Sequence, residues 1–198
     1  MKRTIHTRVS NAFSIGLCLA ALAVARADDS KELTAFELIK QSNRYVGEDA
    51  KDKIVQVRSE KSLGSMTPTI WYVVHYDPDA TAKATEVKFG AGQKLTVKRP
   101  ARVFELASKA HLPMDRDKLK IDSDKALETA MKDPQLKNLK LLASRLTLEL
   151  WEDAPTWKVR LWAAKLRNPV KDADIGEILI SAESGKPLQN NLHIEHVD

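Results

Sequence analysis

The side chains able to do chemistry in this 198-residue chain are few, and their spacing settles what each can attempt. His75 lies in the apolar run Ile70-Trp71-Tyr72-Val73-Val74-His75-Tyr76. A histidine there could serve as a general base in a pocket with Tyr72 and Tyr76, or it could pack as a hydrogen-bonded core residue. No nucleophile or second carboxylate stands beside it in the sequence, which favours the packed role. His193, Glu195 and His196 form the most metal-like cluster, but on a strand residues 193 and 195 share a face that 196 does not, so no metal ligand set is assigned. Asp77 and Asp79 flank Pro78 and read as turn residues, with no calcium-type loop following. Trp162 is different. In the run Trp157 to Ala163, Trp157, Val159, Leu161 and Ala163 alternate with Lys158, Arg160 and Trp162. A tryptophan sharing a sheet face with two basic side chains could make a protein- or peptide-binding surface, and it could equally be covered by a helix or loop.

No nucleophile elbow, zinc-binding helix or phosphate-cradling glycine loop is present. Gly90-Ala91-Gly92 reads as a hairpin turn. Catalytic residues, cofactors and metals are therefore assigned to none, and the chain is expected not to be an enzyme.

The elements that position these residues begin with a helix expected over 33–46, where Leu38, Ile39, Ser42, Tyr45 and Val46 follow helical spacing. Ser30 or Thr34 can cap it, and Gly47 can end it. Alternating strands are expected at 53–58, 70–76, 85–89 and 94–98, with Val87, Phe89, Leu95 and Val97 inward. A short helix around Val103, Leu106, Ala107 and Ala110 and a strand over Lys118 to Ile121 make a connector. Asp122 or Ser123 then caps a helix bearing Ala126, Leu127, Ala130 and Met131, stopped near Pro134. A strand with Leu146, Leu148 and Leu150 inward and Arg145, Thr147 and Glu149 outward follows, then the Trp157 strand. Glu177–Ala182 and Lys186–Leu192 form a final hairpin about Ser184-Gly185.

The N-terminus carries targeting information. Lys2, Arg3 and Arg8 precede an apolar run from Ala12 to Ala25 that ends in Ala25-Arg26-Ala27. This is a secretory signal peptide with cleavage expected after Ala27, and its apolar run is shorter than the roughly 20 residues a spanning helix needs. Cys18 follows Leu17 inside the run, where a lipid-anchor cysteine would follow a small residue at its end. Four of the 32 Lys and Arg residues and none of the 27 Asp and Glu lie in 1–27, so 28 bases face 27 acids in the remainder. The basic balance that would suggest nucleic acid or an anionic membrane belongs mainly to the targeting segment. Removing it also removes the only cysteine, so disulfides and thiol chemistry go with it. A secreted or periplasmic domain with no integral membrane span is expected.

The order of elements repeats. Thr67-Pro68-Thr69-Ile70-Trp71 matches Ala154-Pro155-Thr156-Trp157, and Glu86 to Ala91 matches Glu177 to Ala182, each followed by a glycine and a lysine. The expected fold is α+β: two tandem helix-plus-antiparallel-sheet halves, at 28–98 and 122–198, joined by 99–121. The segments Ser123 to Ala130, Pro155-Thr156-Trp157-Lys158-Val159 and Ile180 to Leu188 resemble a PepSY domain over about 120–192, and the first half resembles it more weakly. The long stretch from Ala163 to Asp174 and the helix stop at Pro134 depart from that pattern. The tandem arrangement is also similar in architecture to the beta-lactamase inhibitor protein. The PepSY resemblance implies an extracytoplasmic, non-catalytic module that binds or restrains a peptidase or other envelope protein. From the residues alone, the binding surface would include Trp162, Arg160 and Lys158. The alternative from the residues is a small-ligand or hydrolytic pocket at His75, Tyr72 and Tyr76.

Overall fold

The computed structural model describes residues 32–99 and 112–197. The signal peptide expected at 1–27 and the connector helix expected around Val103 to Ala110 lie outside the described residues. The order helix then four strands occurs twice: α1 (Ala35–Ser42), β1 (Ile54–Ser59), β2 (Ile70–Tyr76), β3 (Ala84–Gly90) and β4 (Gln93–Lys98), then α2 (Ser123–Met131), β5 (Leu141–Trp151), β6 (Ala154–Ala164), β7 (Asp172–Ser181) and β8 (Pro187–Leu192).

The strands do not make two small sheets. They form a single eight-stranded antiparallel sheet in the order β4-β3-β2-β1-β5-β6-β7-β8. The seam is β1 against β5, where Val57 pairs Leu148 and Arg58 pairs Thr147. That ladder is short, and side chains extend it. The Ser59 hydroxyl accepts from the Leu146 amide at 2.9 Å, and the Ser62 hydroxyl accepts from the Ser144 amide at 2.8 Å. On the other face Gln56 Nε2 donates to Glu149 at 2.6 Å.

Strand alternation puts one apolar face under both helices. Val57, Trp71, Val73, Val87, Phe89, Leu146, Leu148, Trp157, Val159, Leu161, Ile178 and Ile180 meet Leu38 and Ile39 of α1 and Ala126, Leu127 and Ala130 of α2 in one continuous core. The inner faces of both helices carry alanine, which lets each helix lie close to the sheet. The N-termini of the two helices also meet. Asp122 Oδ1 accepts from the Ser123 amide of α2 at 2.6 Å and from the Phe36 amide of α1 at 3.1 Å. Ser123 Oγ accepts from the Ala35 amide at 3.0 Å. Thr34 and Glu37 complete a capping box on α1.

Several expectations are corrected. The first helix stops at Ser42 and tightens into a 3-10 turn over Asn43–Tyr45, which leaves Tyr45 40% exposed at the edge of Phe89. Residues 118–121 form no strand, although the Lys120 and Ile121 amides both bond the Ala182 carbonyl. Leu95 is not inward: a bulge opposite Lys88 and Phe89 makes it the extra residue of β4 and it is 50% exposed, whereas Val97 pairs with Val87 on the helix-covered side but is 42% exposed because β4 is an edge strand. Of the stretch from Ala163 to Asp174 only residues 165–171 lie outside the strands, since β6 runs to Ala164 and β7 starts at Asp172. β5 and β6 turn through Glu152 and Asp153, both at positive φ as a two-residue hairpin requires. A further bulge in β7 depends on Gly176 at φ +94°, where an added Cβ would stand 2.1 Å from the Asn191 carbonyl oxygen.

Candidate functional site

Opposite the helix-covered face, the sheet presents charge. One register row crosses all eight strands: Thr96, Lys88, Tyr72, Arg58, Thr147, Lys158, Leu179 and Gln189. Lys88, Arg58 and Lys158 are each two strands apart in that row. Neighbouring strands are about 4.8 Å apart, so a ligand lying across the strands meets a cation roughly every 10 Å. The adjacent row carries carboxylates, and ion pairs connect the two: Arg58 to Glu86 at 2.6 Å and Lys158 to Glu149 at 2.6 Å.

Two aromatic rings punctuate this face. Tyr72 lies beneath two cations, with Arg58 Cζ 4.4 Å and Lys88 Nζ 4.9 Å from its centroid. Its hydroxyl donates to Glu60, which also pairs with Lys88 at 3.2 Å. The Tyr72 hydrogen bond, reinforced by Lys88, holds the Glu60 carboxyl below its ordinary range. Trp162 has three cations around it: Lys61 Nζ at 4.7 Å, Arg145 at 5.8 Å and Arg160 at 5.9 Å. Arg160 pairs with Asp174 through both Nε, at 2.8 Å, and an Nη, at 2.6 Å. Burial alone would raise the Asp174 carboxyl, but the Arg160 bond, the Gly176 amide and the charges of Arg160 and Arg145 bring it below normal. Lys61 pairs with Asp172.

Between the rings lies a groove of about 540 Å³, whose lining includes Tyr72, Ser59, Thr147 and Gln56. Five lining side chains are basic (Arg58, Lys61, Arg145, Lys158, Arg160) and three are acidic (Glu60, Glu149, Glu177). The groove is therefore polar and preorganised by ion pairs, and with the Glu86, Asp172 and Asp174 partners of its cations included it is close to charge balance. Such a surface can orient a partner with charge-assisted hydrogen bonds and cation–π contacts. Toward the end of the sheet where β2 reaches Tyr76, the same face turns apolar. A β1 bulge there places Val55 beside Val74 and Ala84, against Tyr76.

The structure brings Lys158, Arg160 and Trp162 onto this one face, in the β6 alternation. It does not bring His75 together with Tyr72 and Tyr76. His75 shares the helix-covered side with Trp71 and Val73, whereas Tyr72 and Tyr76 project to the other side. His75 is 0% exposed. Its Nδ1 lies 3.1 Å from the Ala50 carbonyl, which can only accept, so Nδ1 carries the proton. Nε2 lies 2.7 Å from the Ser42 hydroxyl, whose single proton is also within 2.7 Å of the Ile39 carbonyl. Burial pushes the His75 pKa down, although the Ala50 carbonyl bond opposes it. The Ser42–His75 contact has the atoms of a nucleophile and base, but both residues are sealed at 0% exposure, so no substrate reaches them.

Asp77 is 1% exposed and accepts from Thr85 Oγ1 at 2.6 Å and from the Asp79 amide at 3.0 Å, the geometry of a turn-closing carboxylate. At the C-terminus His193 and His196 stack at 5.5 Å and His196 Nδ1 bonds the Asp174 carbonyl at 2.9 Å. Among the described residues no group of three His, Cys, Asp or Glu is placed to hold a metal ion. Among the same residues no helix is long and apolar enough to cross a membrane.

Lys61 and Arg145 are the members of the site that strand reading leaves unjoined to Trp162. Alternation puts Arg145 outward on β5, but only the Arg145–Arg160 pairing across β5 and β6 brings it to the ring. Lys61 lies two residues beyond the end of β1, outside the alternating run.

Helices on one face and a polar, aromatic-studded opposite face define an α+β protein built on a one-sided antiparallel sheet. Its fold is similar to that of a "putative lipoprotein" from Clostridium difficile 630, with a TM-score of 0.52 at 18% identity, covering 80% of this chain and 91% of that one. No family model matches the sequence, and no curated protein matches it.

Proposed function

We propose that this protein is an extracytoplasmic, non-catalytic interaction module of PepSY-like type. In this reading two helix-plus-four-strand halves fuse their sheets to hold a protein or peptide partner on the open face. The partner is an envelope protein such as a peptidase. The observation that carries the proposal is the contrast between the faces. One is filled by both helices, while the other presents Arg58, Lys158, Arg160, Tyr72 and Trp162 around a polar groove. Aromatic and arginine side chains held rigid by neighbours are the composition of binding hot spots. Ion pairs fix the rotamers in advance, which lowers the ordering cost on association.

The N-terminal segment ending at Ala27 supports delivery outside the cytoplasm. Cys18 stands inside the apolar run, so the lipid anchor in the name of the fold neighbour is not carried over.

The test is affinity capture from the envelope of the source cell with the wild-type protein, Trp162→Ala and Lys158→Glu. The expected outcome is a partner recovered by the wild type and lost or strongly reduced with both variants, each still folded by circular dichroism. Equal recovery by all three proteins would remove the open face from the argument.

A further inference from the structure

The groove is not evenly compensated. Of the five cations that line it, four have a carboxylate partner: Arg58 with Glu86, Lys158 with Glu149, Arg160 with Asp174 and Lys61 with Asp172. Arg145 is the fifth. It is exposed, and it forms no hydrogen bond or ion pair among the described residues. It also stands directly opposite Arg160 across β5 and β6, and like charges in that position are mildly destabilising. Asp174 is bonded to Arg160, and although it feels the Arg145 charge it accepts no hydrogen bond from the Arg145 fork, whose donors stay open. The Trp162 ring beside it supplies an apolar wall.

The groove also limits which anion can enter. Glu60, Glu149 and Glu177 line it, and Glu177 has no hydrogen bond or ion pair among the described residues. A dense polyanion would be repelled by these carboxylates. A chain bearing an isolated carboxylate between groups that donate hydrogen bonds satisfies both Arg145 and Glu177. An extended peptide has that pattern, with backbone N–H donors on either side of an acidic side chain.

We propose that the groove seats an extended acidic peptide segment, with one carboxylate on the Arg145 guanidinium beside the Trp162 ring. This rests on the binding-module reading above and specifies its ligand chemistry.

The experiment is fluorescence anisotropy with a dye-labelled decapeptide alternating Glu and Ala, its Gln and Lys counterparts, and a uronic-acid oligosaccharide. The Glu peptide is expected to bind in a salt-sensitive way and the Gln peptide roughly ten- to a hundredfold more weakly, as loss of a charge-assisted pair requires. Arg145→Gln should erase that preference at unchanged thermal midpoint, and Arg145→Lys should restore part of it. The proposal is overturned if the Gln peptide binds as well as the Glu peptide or if Arg145→Gln leaves the affinity intact. It is also overturned if the oligosaccharide binds while no peptide does, or if no probe binds. The envelope capture separates this failure from that of the parent reading. If Trp162→Ala loses the partner while Arg145→Gln retains it, the seat is wrong and the binding face stands. Equal recovery with both variants removes the face as well.

Discussion

Asp122 is the most informative single position for the architecture, because one carboxylate oxygen caps two helices from different halves of the chain. Asp122→Ala removes the acceptor for the Ser123 amide at 2.6 Å and for the Phe36 amide at 3.1 Å. Both amides belong to the first turns of their helices, where no intrahelical partner exists. A lost N-cap costs about 1 kcal/mol, and each helix also loses a negative charge near its N-terminus, at about 0.3–1 kcal/mol. Two helices together give a loss of roughly 2–4 kcal/mol. Thr34→Ala is the matched control. It touches only α1, whose Glu37 amide donates to Thr34 Oγ1 at 3.4 Å, and should cost about 1 kcal/mol. Asp122→Asn keeps one oxygen acceptor and should fall between the two. Urea unfolding followed by tryptophan fluorescence measures all three. An Asp122→Ala loss below about 0.5 kcal/mol, or a Thr34→Ala loss of equal size, would refute the shared cap as the junction of the halves.

Three further outcomes are expected. His75 is held neutral by burial below its ordinary value of 6.5, so the unfolded chain binds the extra proton as acid is added. Stability should be full above pH 6.5 and fall as pH drops below it, by at most about 1.4 kcal/mol per pH unit, a slope that His75→Gln should abolish in pH-dependent urea titrations. Asp77 has a depressed pKa: burial opposes this, but Thr85, the Asp79 amide and Arg99 outweigh it. Its contribution should therefore persist above pH 3.8 and be lost as pH falls below, and Asp77→Asn should flatten the acid limb of the same titration. Gly176→Ala places a Cβ against the Asn191 carbonyl at positive φ and should cost about 2 kcal/mol or more. Amide exchange should localise that damage to β8, and uniform protection there would contradict it.

The sequence by itself determined which residues form each strand face. Trp157, Val159, Leu161 and Ala163 go to the core and Lys158, Arg160 and Trp162 to the other side, because a strand's period of two leaves no freedom once one face is apolar. It also narrowed the α2 cap to Asp122 or Ser123, since a short acceptor before an apolar helical stripe has a local mechanism, and the folded chain uses Asp122. Where the pattern was interrupted, the local reading failed. Alternation puts Val55 on one face with Val57 and Leu95 on one face with Phe89, but bulges turn both to the opposite face, and no side-chain alternation announces an extra residue. His75 and Tyr72 seemed one pocket because they are close in the chain, yet an odd separation puts them on opposite sides of the sheet.

Only the tertiary structure decided that the two halves share one sheet and one core. Gln56 and Glu149, 93 residues apart, meet at that seam, and nothing local to either segment specifies the partner. The same long-range pairing assembles the Trp162 cluster from Lys61, Arg145 and Arg160 and leaves Arg145 without an ion-pair partner among the described residues. Face is set by neighbours along the chain, so it can be read from the letters. Which cation meets which ring depends on strand order and register, and those follow from packing the whole chain around one core.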